Sequence, residues 1–250
     1  MTLDGDHSEL GRLAALARQL PRDVPPPRDL WAGIAARLEP RGQLDHLAAS
    51  LPTRVDPPEG LWPKIEARIA PAVGLLLPGE RLDVVAFGCT SASMVIGETR
   101  VFARIREARP DIACTTPITA ALAALKALDV RRVALLTPYV RTINDFMRDY
   151  IEARGVAVTR MASFEHADDN EVARIDANSI RSAIETLARH DDADAVFVSC
   201  TSLRVAALVP ELEAAIGKPV LSSNHAMAWH ALRLAGVQDS EPQLGRLFAR

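Results

Sequence analysis

Two cysteines, Cys89 and Cys200, stand in the same nine-residue setting 111 residues apart. The first copy reads Asp83-Val84-Val85-Ala86-Phe87-Gly88-Cys89-Thr90-Ser91, and the second Asp194-Ala195-Val196-Phe197-Val198-Ser199-Cys200-Thr201-Ser202. In each, a short apolar run ends at a small residue followed by Cys-Thr-Ser. A thiol can attack carbon as the thiolate or carry a proton, and hydroxyls and N–H donors around it lower its pKa toward neutrality. Thr90, Ser91, Thr201 and Ser202 supply the hydroxyls and main-chain N–H groups that an anion-binding turn uses. A lone cysteine at a strand end is more often a small buried hydrophobe. The return of the whole Cys-Thr-Ser unit favours chemistry, because a core position needs only a small apolar side chain.

The apolar runs before the cysteines show no alternation, which predicts strands buried on both faces. Strands are expected over 82–87, 112–115, 131–136, 156–164, 195–199 and 219–222. Between and after them, helical periodicity is read over 95–108, 117–128, 142–154, 179–190, 206–216 and 226–234. The acidic segment 165–171, with Asn170, reads as a loop. Strands alternating with helices at this spacing imply an α/β fold with a parallel, doubly wound sheet. In such folds ligands sit beyond the carboxyl ends of the strands, where both cysteines fall. The second half counts four strands and the first only two, so the first half is expected to be incomplete.

The N-terminal segment has a different texture. Leu20-Pro21, Val24, Pro26-Pro27, Leu30-Trp31, Ile34 and Leu38 return 31 residues later as Leu51-Pro52, Val55, Pro57-Pro58, Leu61-Trp62, Ile65 and Ile69. Each unit reads as a short helix, a proline-rich link and a second amphipathic helix. The domains are therefore expected at 1–71 (helical tandem repeat), 72–128 (first, partial α/β half) and 129–250 (second α/β half). The repeat either packs its Trp31 and Trp62 faces on itself and its neighbour, or contacts a protein partner; its units resemble segments of anti-sigma-factor-like bacterial proteins.

Composition narrows the classes of function. The chain has 250 residues, 48% hydrophobic and 24% charged, with a net charge of −3, ordinary for a globular protein and without the basic excess of a nucleic-acid binder. Aromatic residues make up 4%, too few for base-stacking surfaces. There is no apolar run long enough to span a membrane, and the acidic N-terminus lacks a secretory signal. Three cysteines without close spacing argue against disulfides or a zinc knuckle and for reduced thiols in the cytoplasm. No glycine-rich dinucleotide or phosphate loop is present, so no cofactor and no metal is expected.

Several segments in order resemble the cofactor-independent Asp/Glu racemase superfamily, in the branch that holds maleate cis-trans isomerase, ectoine-utilisation racemase-like proteins and arylmalonate decarboxylase. They are the two Cys-Thr-Ser copies, Thr116-Pro117-Ile118-Thr119, Leu136-Thr137-Pro138-Tyr139, Asn170-Glu171-Val172 and Pro219-Val220-Leu221-Ser222-Ser223-Asn224. The resemblance implies two pseudo-symmetric Rossmann-like halves enclosing a small carboxylate. It assigns Cys89 and Cys200 as the catalytic pair. In the isomerase pattern Cys89 adds to the alkene and Cys200 handles the proton on the neighbouring carbon; in the racemase pattern the two work on opposite faces. Thr90, Ser91, Thr201 and Ser202 would hold the near charge, and Tyr139 and Asn170 the far carboxylate. Arylmalonate decarboxylases keep one of the two thiols, so a pair points to isomerase or racemase chemistry, with decarboxylation or a non-catalytic carboxylate binder as alternatives. The family begins with a strand bearing Asn or Asp, for which no counterpart precedes Cys89. A sheet edge left open there would invite pairing with another chain, as in a homodimer.

Other reactive side chains read as structural. Cys114 lies within a strand and is expected in the core. His225 and His230, five apart on a helix, face different ways and make no metal site.

Overall fold

The computed structural model describes residues 60–250, within a compact unit of Thr53–Arg250. The first repeat unit, with Trp31, and the second proline-rich link lie outside the described residues. In chain order the first half comprises α1 (Leu61–Gly74), β1 (Val84–Ala86), α2 (Thr90–Ile96), α3 (Glu98–Ala108), β2 (Ala113–Thr115) and α4 (Pro117–Ala127). The second comprises β3 (Arg132–Thr137), α5 (Arg141–Glu152), β4 (Ala157–Ser163), α6 (Asp169–Val172), α7 (Ala177–Ala188), β5 (Ala195–Val198), α8 (Val209–Ile216), β6 (Val220–Ser222) and α9 (Ser223–Leu234).

Every described strand pair is parallel, as expected. The second sheet runs β4-β3-β5-β6, and among the described residues the first holds β1 and β2. All four residues of β5 are buried, in keeping with a strand covered on both faces. The first copy departs from that expectation: Val85 is buried but Ala86 is exposed, because a two-stranded sheet has fewer neighbours to cover it. The leading aspartates diverge as well. Asp194 accepts hydrogen bonds from the Arg131 and Arg132 N–H groups at 3.2 and 2.9 Å and pairs with the Arg132 guanidinium at 2.6 Å, tying β5 to β3. Among the described residues Asp83 pairs with Arg81 at 3.4 Å, in solvent.

Helix α1, the second helix of the second repeat unit, is part of the α/β core. Its Ile69 and Val73 pack with Val85, Ile96, Val101, Ile105 and Ile112. Its Glu66, 5% exposed, binds Arg100 and Arg104 of α3. The helix continues through Pro71, which an interior proline permits at the cost of one main-chain hydrogen bond.

The halves exchange helices. Thr116 caps α4 by accepting the Thr119 N–H at 3.2 Å, with Pro117 at the first helical position, a combination that favours helix initiation. Although α4 closes the first half in sequence, its Ile118, Ala121 and Leu125 lie in one core with Leu135, Phe197 and Leu221 of the second sheet. Conversely α9, the final helix, packs along α4 and against β1 and β2. Alanines on α4 let the two helices approach closely. This interlock brings the carboxyl ends of β1 and β5 together.

Three boundaries differ from expectation. The helix expected from residue 95 begins at Thr90 and breaks at Gly97, whose φ of 93° only glycine adopts freely, before α3 resumes. The acidic segment contains the single turn α6, capped by Asp168. Helix α9 starts at Ser223, capped by Ser222, three residues earlier than its apolar periodicity suggests. No helix among the described residues is long and apolar enough to cross a membrane.

Candidate active site

Cys89 is the N-cap of α2, in relaxed extended backbone with φ −129°. Its N–H donates to Phe87 O at 3.0 Å, and its sulfur lies 3.7 Å from Ser91 Oγ. Cys200 repeats one part of this pattern: its sulfur accepts from the Ser202 N–H at 3.4 Å. In both Cys-Thr-Ser turns the serine two residues on thus lies against the thiol. The cysteines differ in exposure, Cys89 being partly exposed and Cys200 buried. They also differ in backbone, since Cys200 sits at φ 124°, a conformation costly for a side chain with a Cβ and typical of functional turns.

The two turns touch. Thr201 Oγ1 donates to Gly88 O at 3.0 Å, across the halves, and the Thr201 carbonyl accepts from Asn224 Nδ2 at 2.8 Å. Thr90, buried beside Cys89, places Oγ1 at 3.1 Å from Ser223 Oγ at the start of α9.

Tyr139 follows β3 and lies near both thiols. Burial first, and then the neighbouring Cys200 and Cys89 sulfurs, push its phenol well above the usual tyrosine value. It stays a neutral O–H donor, suited to a carboxylate. A polar network beneath fixes this loop: Asn144 Nδ2 donates to Tyr139 O at 2.8 Å, Ser163 Oγ donates to the same carbonyl at 2.5 Å, and Thr137 Oγ1 donates to Asn144 Oδ1 and accepts the Tyr139 N–H at 3.3 Å. Cys200 is pushed above the ordinary thiol value, chiefly by burial, with the Ser202 N–H and Tyr139 pulling the other way. A buried thiol with a raised pKa keeps its proton near neutrality. It is chemically suited to hold and return a proton, whereas the more open Cys89 is placed for contact with an electrophile.

Cys89, Thr90, Ser91, Cys200, Thr201, Ser202 and Tyr139 therefore gather where the halves meet. Asn170 lies in the exposed first turn of α6, its N–H bonded to Asp168 Oδ1 at 2.7 Å. Its neighbour Asp169 is close enough to Cys200 to raise that thiol, so the turn stands at the rim on the Cys200 side. Ser223, Asn144 and Ser163 were not singled out by residue type, although Ser223 lies within one of the motifs. Cys114 is buried in β2 with its sulfur 3.4 Å from Ile112 O, and burial raises its thiol, so it is a core residue. His225 Nε2 donates to Leu244 O at 2.7 Å, and His230 Nδ1 pairs with Thr115 Oγ1 at 2.8 Å.

Comparison with known proteins places the chain in a family. Residues 45–248 match the protein family described as arylmalonate decarboxylase. The chain is 36% identical over 137 residues to the arylmalonate decarboxylase of Bordetella bronchiseptica, a stretch covering 54% of this chain and 57% of that one. It thus spans little more than half the length of that relative. Identity to the maleate isomerase of Nocardia farcinica is 31% over 174 residues, 66% of this chain and 69% of that one. The solved structure of a cysteine-to-serine variant of the Nocardia farcinica maleate cis-trans isomerase, with a covalently bound succinylcysteine intermediate, is similar at a TM-score of 0.68. Its identity is 28%, over 77% of this chain and 81% of that one.

Proposed function

Because the chain belongs to the arylmalonate decarboxylase family, we propose that it is a two-cysteine isomerase of small dicarboxylic acids, converting maleate to its trans isomer. What supports this most is the pair of Cys-Thr-Ser turns, one from each half, meeting across Thr201 and Gly88 with Tyr139 beside both sulfurs. A decarboxylase needs one thiol to protonate an enediolate; this site brings two.

The Cys89 thiolate adds to one alkene carbon, forming a C–S bond while the π electrons move to the neighbouring carbon and its carboxylate. Cys200 delivers its proton to that carbon. The central bond is now single and rotates. Cys200 takes the proton back, the electrons rebuild the double bond, and the C–S bond breaks to return the Cys89 thiolate. Main-chain donors at Thr90, Ser91, Thr201 and Ser202, with the Ser91 and Ser202 hydroxyls, hold the carboxylate whose charge grows in the transition state. Tyr139 and Asn170 hold the far carboxylate. Three unpaired cysteines accord with a reducing compartment, and the reading places the enzyme in the cytoplasm. The part of the N-terminal repeat that precedes α1 is assigned to contact with another protein.

Incubation with maleate, followed by proton NMR, tests the proposal. Fumarate should form without carbon dioxide release, and Cys200→Ala should lower the rate by roughly 10²- to 10⁴-fold, the usual worth of a positioned acid–base group. Carbon dioxide from an arylmalonate with no fumarate from maleate would make the protein a decarboxylase. No turnover of either would make it a carboxylate binder.

A further inference from the structure

The two thiol turns share one hydroxyl. Ser223, fully buried in the first turn of α9, accepts the Cys200 N–H at 3.1 Å and lies 3.1 Å from Thr90 Oγ1. Thr90 is the residue next to Cys89. One oxygen, borne by neither Cys-Thr-Ser turn, therefore bridges both.

The need for it is visible in the backbone. Ser199 makes the last ladder bond of this region, its N–H donating to Leu136 O at 2.8 Å. At Cys200 the chain leaves the sheet with φ 124°, a conformation worth about 1–3 kcal/mol of strain that persists only when its surroundings enforce it. The Cys200 N–H then has no strand to pair with, and Ser223 Oγ receives it. Cys89 needs no such partner, since its φ is ordinary and its N–H bonds to Phe87 O within its own turn. The dependence is one-sided: the strained thiol is held from outside, and the same hydroxyl is fastened beside the relaxed one.

We propose that Ser223 is a positioning residue, which sets the orientation of Cys200 relative to Cys89 through the Cys200 N–H and Thr90. The kinetic part rests on the two-thiol isomerase reading; the structural part does not. A misplacement of about 1 Å in a reacting group lowers rates by roughly 10²-fold, whereas substrate affinity depends mainly on carboxylate donors that Ser223 does not supply.

Three readings on the full chain test this. Ser223→Ala should lower kcat on maleate roughly 10- to 100-fold while KM moves less than about threefold. Iodoacetamide labelling, resolved by mass spectrometry, should accelerate several-fold at Cys200 and stay unchanged at Cys89. Ser223→Thr, which keeps the oxygen, should recover most of both effects. In the unmodified protein, the Cys200 amide should exchange with deuterium as slowly as the Ser199 amide, a reading that survives if the alanine variant does not fold. Wild-type kcat and labelling in Ser223→Ala, or rapid exchange at Cys200 in the native protein, would overturn the proposal. If the wild-type protein does not turn over maleate at all, the isomerase reading fails by itself, and labelling and exchange still decide the role of Ser223.

Discussion

Glu66→Ala removes the carboxylate by which α1 grips α3, and with it the polar half of the cover over the first half's short sheet. The Glu66 side chain is 7% exposed, while its partners Arg100 and Arg104 are 65% and 42% exposed. A fully buried pair cut on one side costs about 3–5 kcal/mol because the remaining charge is stranded. These guanidinium groups can turn back to water, so that penalty does not apply. What is lost is the charge-assisted bonding of Glu66, about 1.5–3 kcal/mol before solvent screening reduces it, and the packing of one methylene. A net destabilisation of about 2 kcal/mol follows, equivalent to roughly 30-fold in an opening equilibrium. Glu66→Gln, which keeps shape and some hydrogen bonding, should lose about half as much. Ile69 and Val73 still anchor the helix, so the effect should appear first as local opening. Amide hydrogen exchange across Leu61–Gly74 is the assay: protection should fall roughly 30-fold in Glu66→Ala while β3 and β5 keep theirs. Unchanged exchange in α1 would refute the clasp and the idea that this helix closes the first half.

Two further outcomes follow from the charge states. Burial raises Cys200 above the ordinary thiol value, so the alkaline decline of kcat, as the proton donor is lost, should lie above the ordinary thiol range. Cys200→Ser should remove that limb from the residual rate, and a wild-type decline already centred near pH 7 would contradict the assignment. Asp194, lowered chiefly by its hydrogen bonds with Arg132, gives stability that is present above the ordinary aspartate value of about 3.9 and lost as pH falls through its depressed folded value. Asp194→Asn should therefore lose a few tenths to about 1 kcal/mol at pH 7 by urea unfolding and show a shallower acid-side decline than the wild type.

The sequence disclosed the parts whose logic is local. An unbroken apolar run before Cys200 gave a strand buried on both faces, and the Cys-Thr-Ser copies marked the ends of β1 and β5. Pro117 at the head of an Ala/Leu-rich run marked the start of α4. The parts that were hidden depend on partners distant in the chain. Thr90, Ser91 and Ser93 read as loop because small polar residues favour caps and turns, yet they form the first turn of α2. The reason is tertiary: Thr90 meets Ser223 across 133 residues, and Ser93 Oγ bonds back to Thr90 O at 2.8 Å. The bridge at Ser223 follows from helix exchange between the halves, which no periodicity encodes. The role of Glu66 depends on Arg100 and Arg104, which α3 brings to it from more than thirty residues away. Exposure of Ala86 reflects a sheet with only two described strands, a matter of neighbours instead of propensity.

The most direct measurement is mass spectrometry of Cys200→Ser incubated with maleate. With its proton partner replaced, the intermediate should accumulate as a single adduct of one maleic acid, mapped by peptide sequencing to Cys89 and absent from Cys114 and from Cys89→Ala/Cys200→Ser. Normal maleate turnover by Cys89→Ala, or an adduct found only on a residue outside the two Cys-Thr-Ser turns, would contradict the two-thiol site.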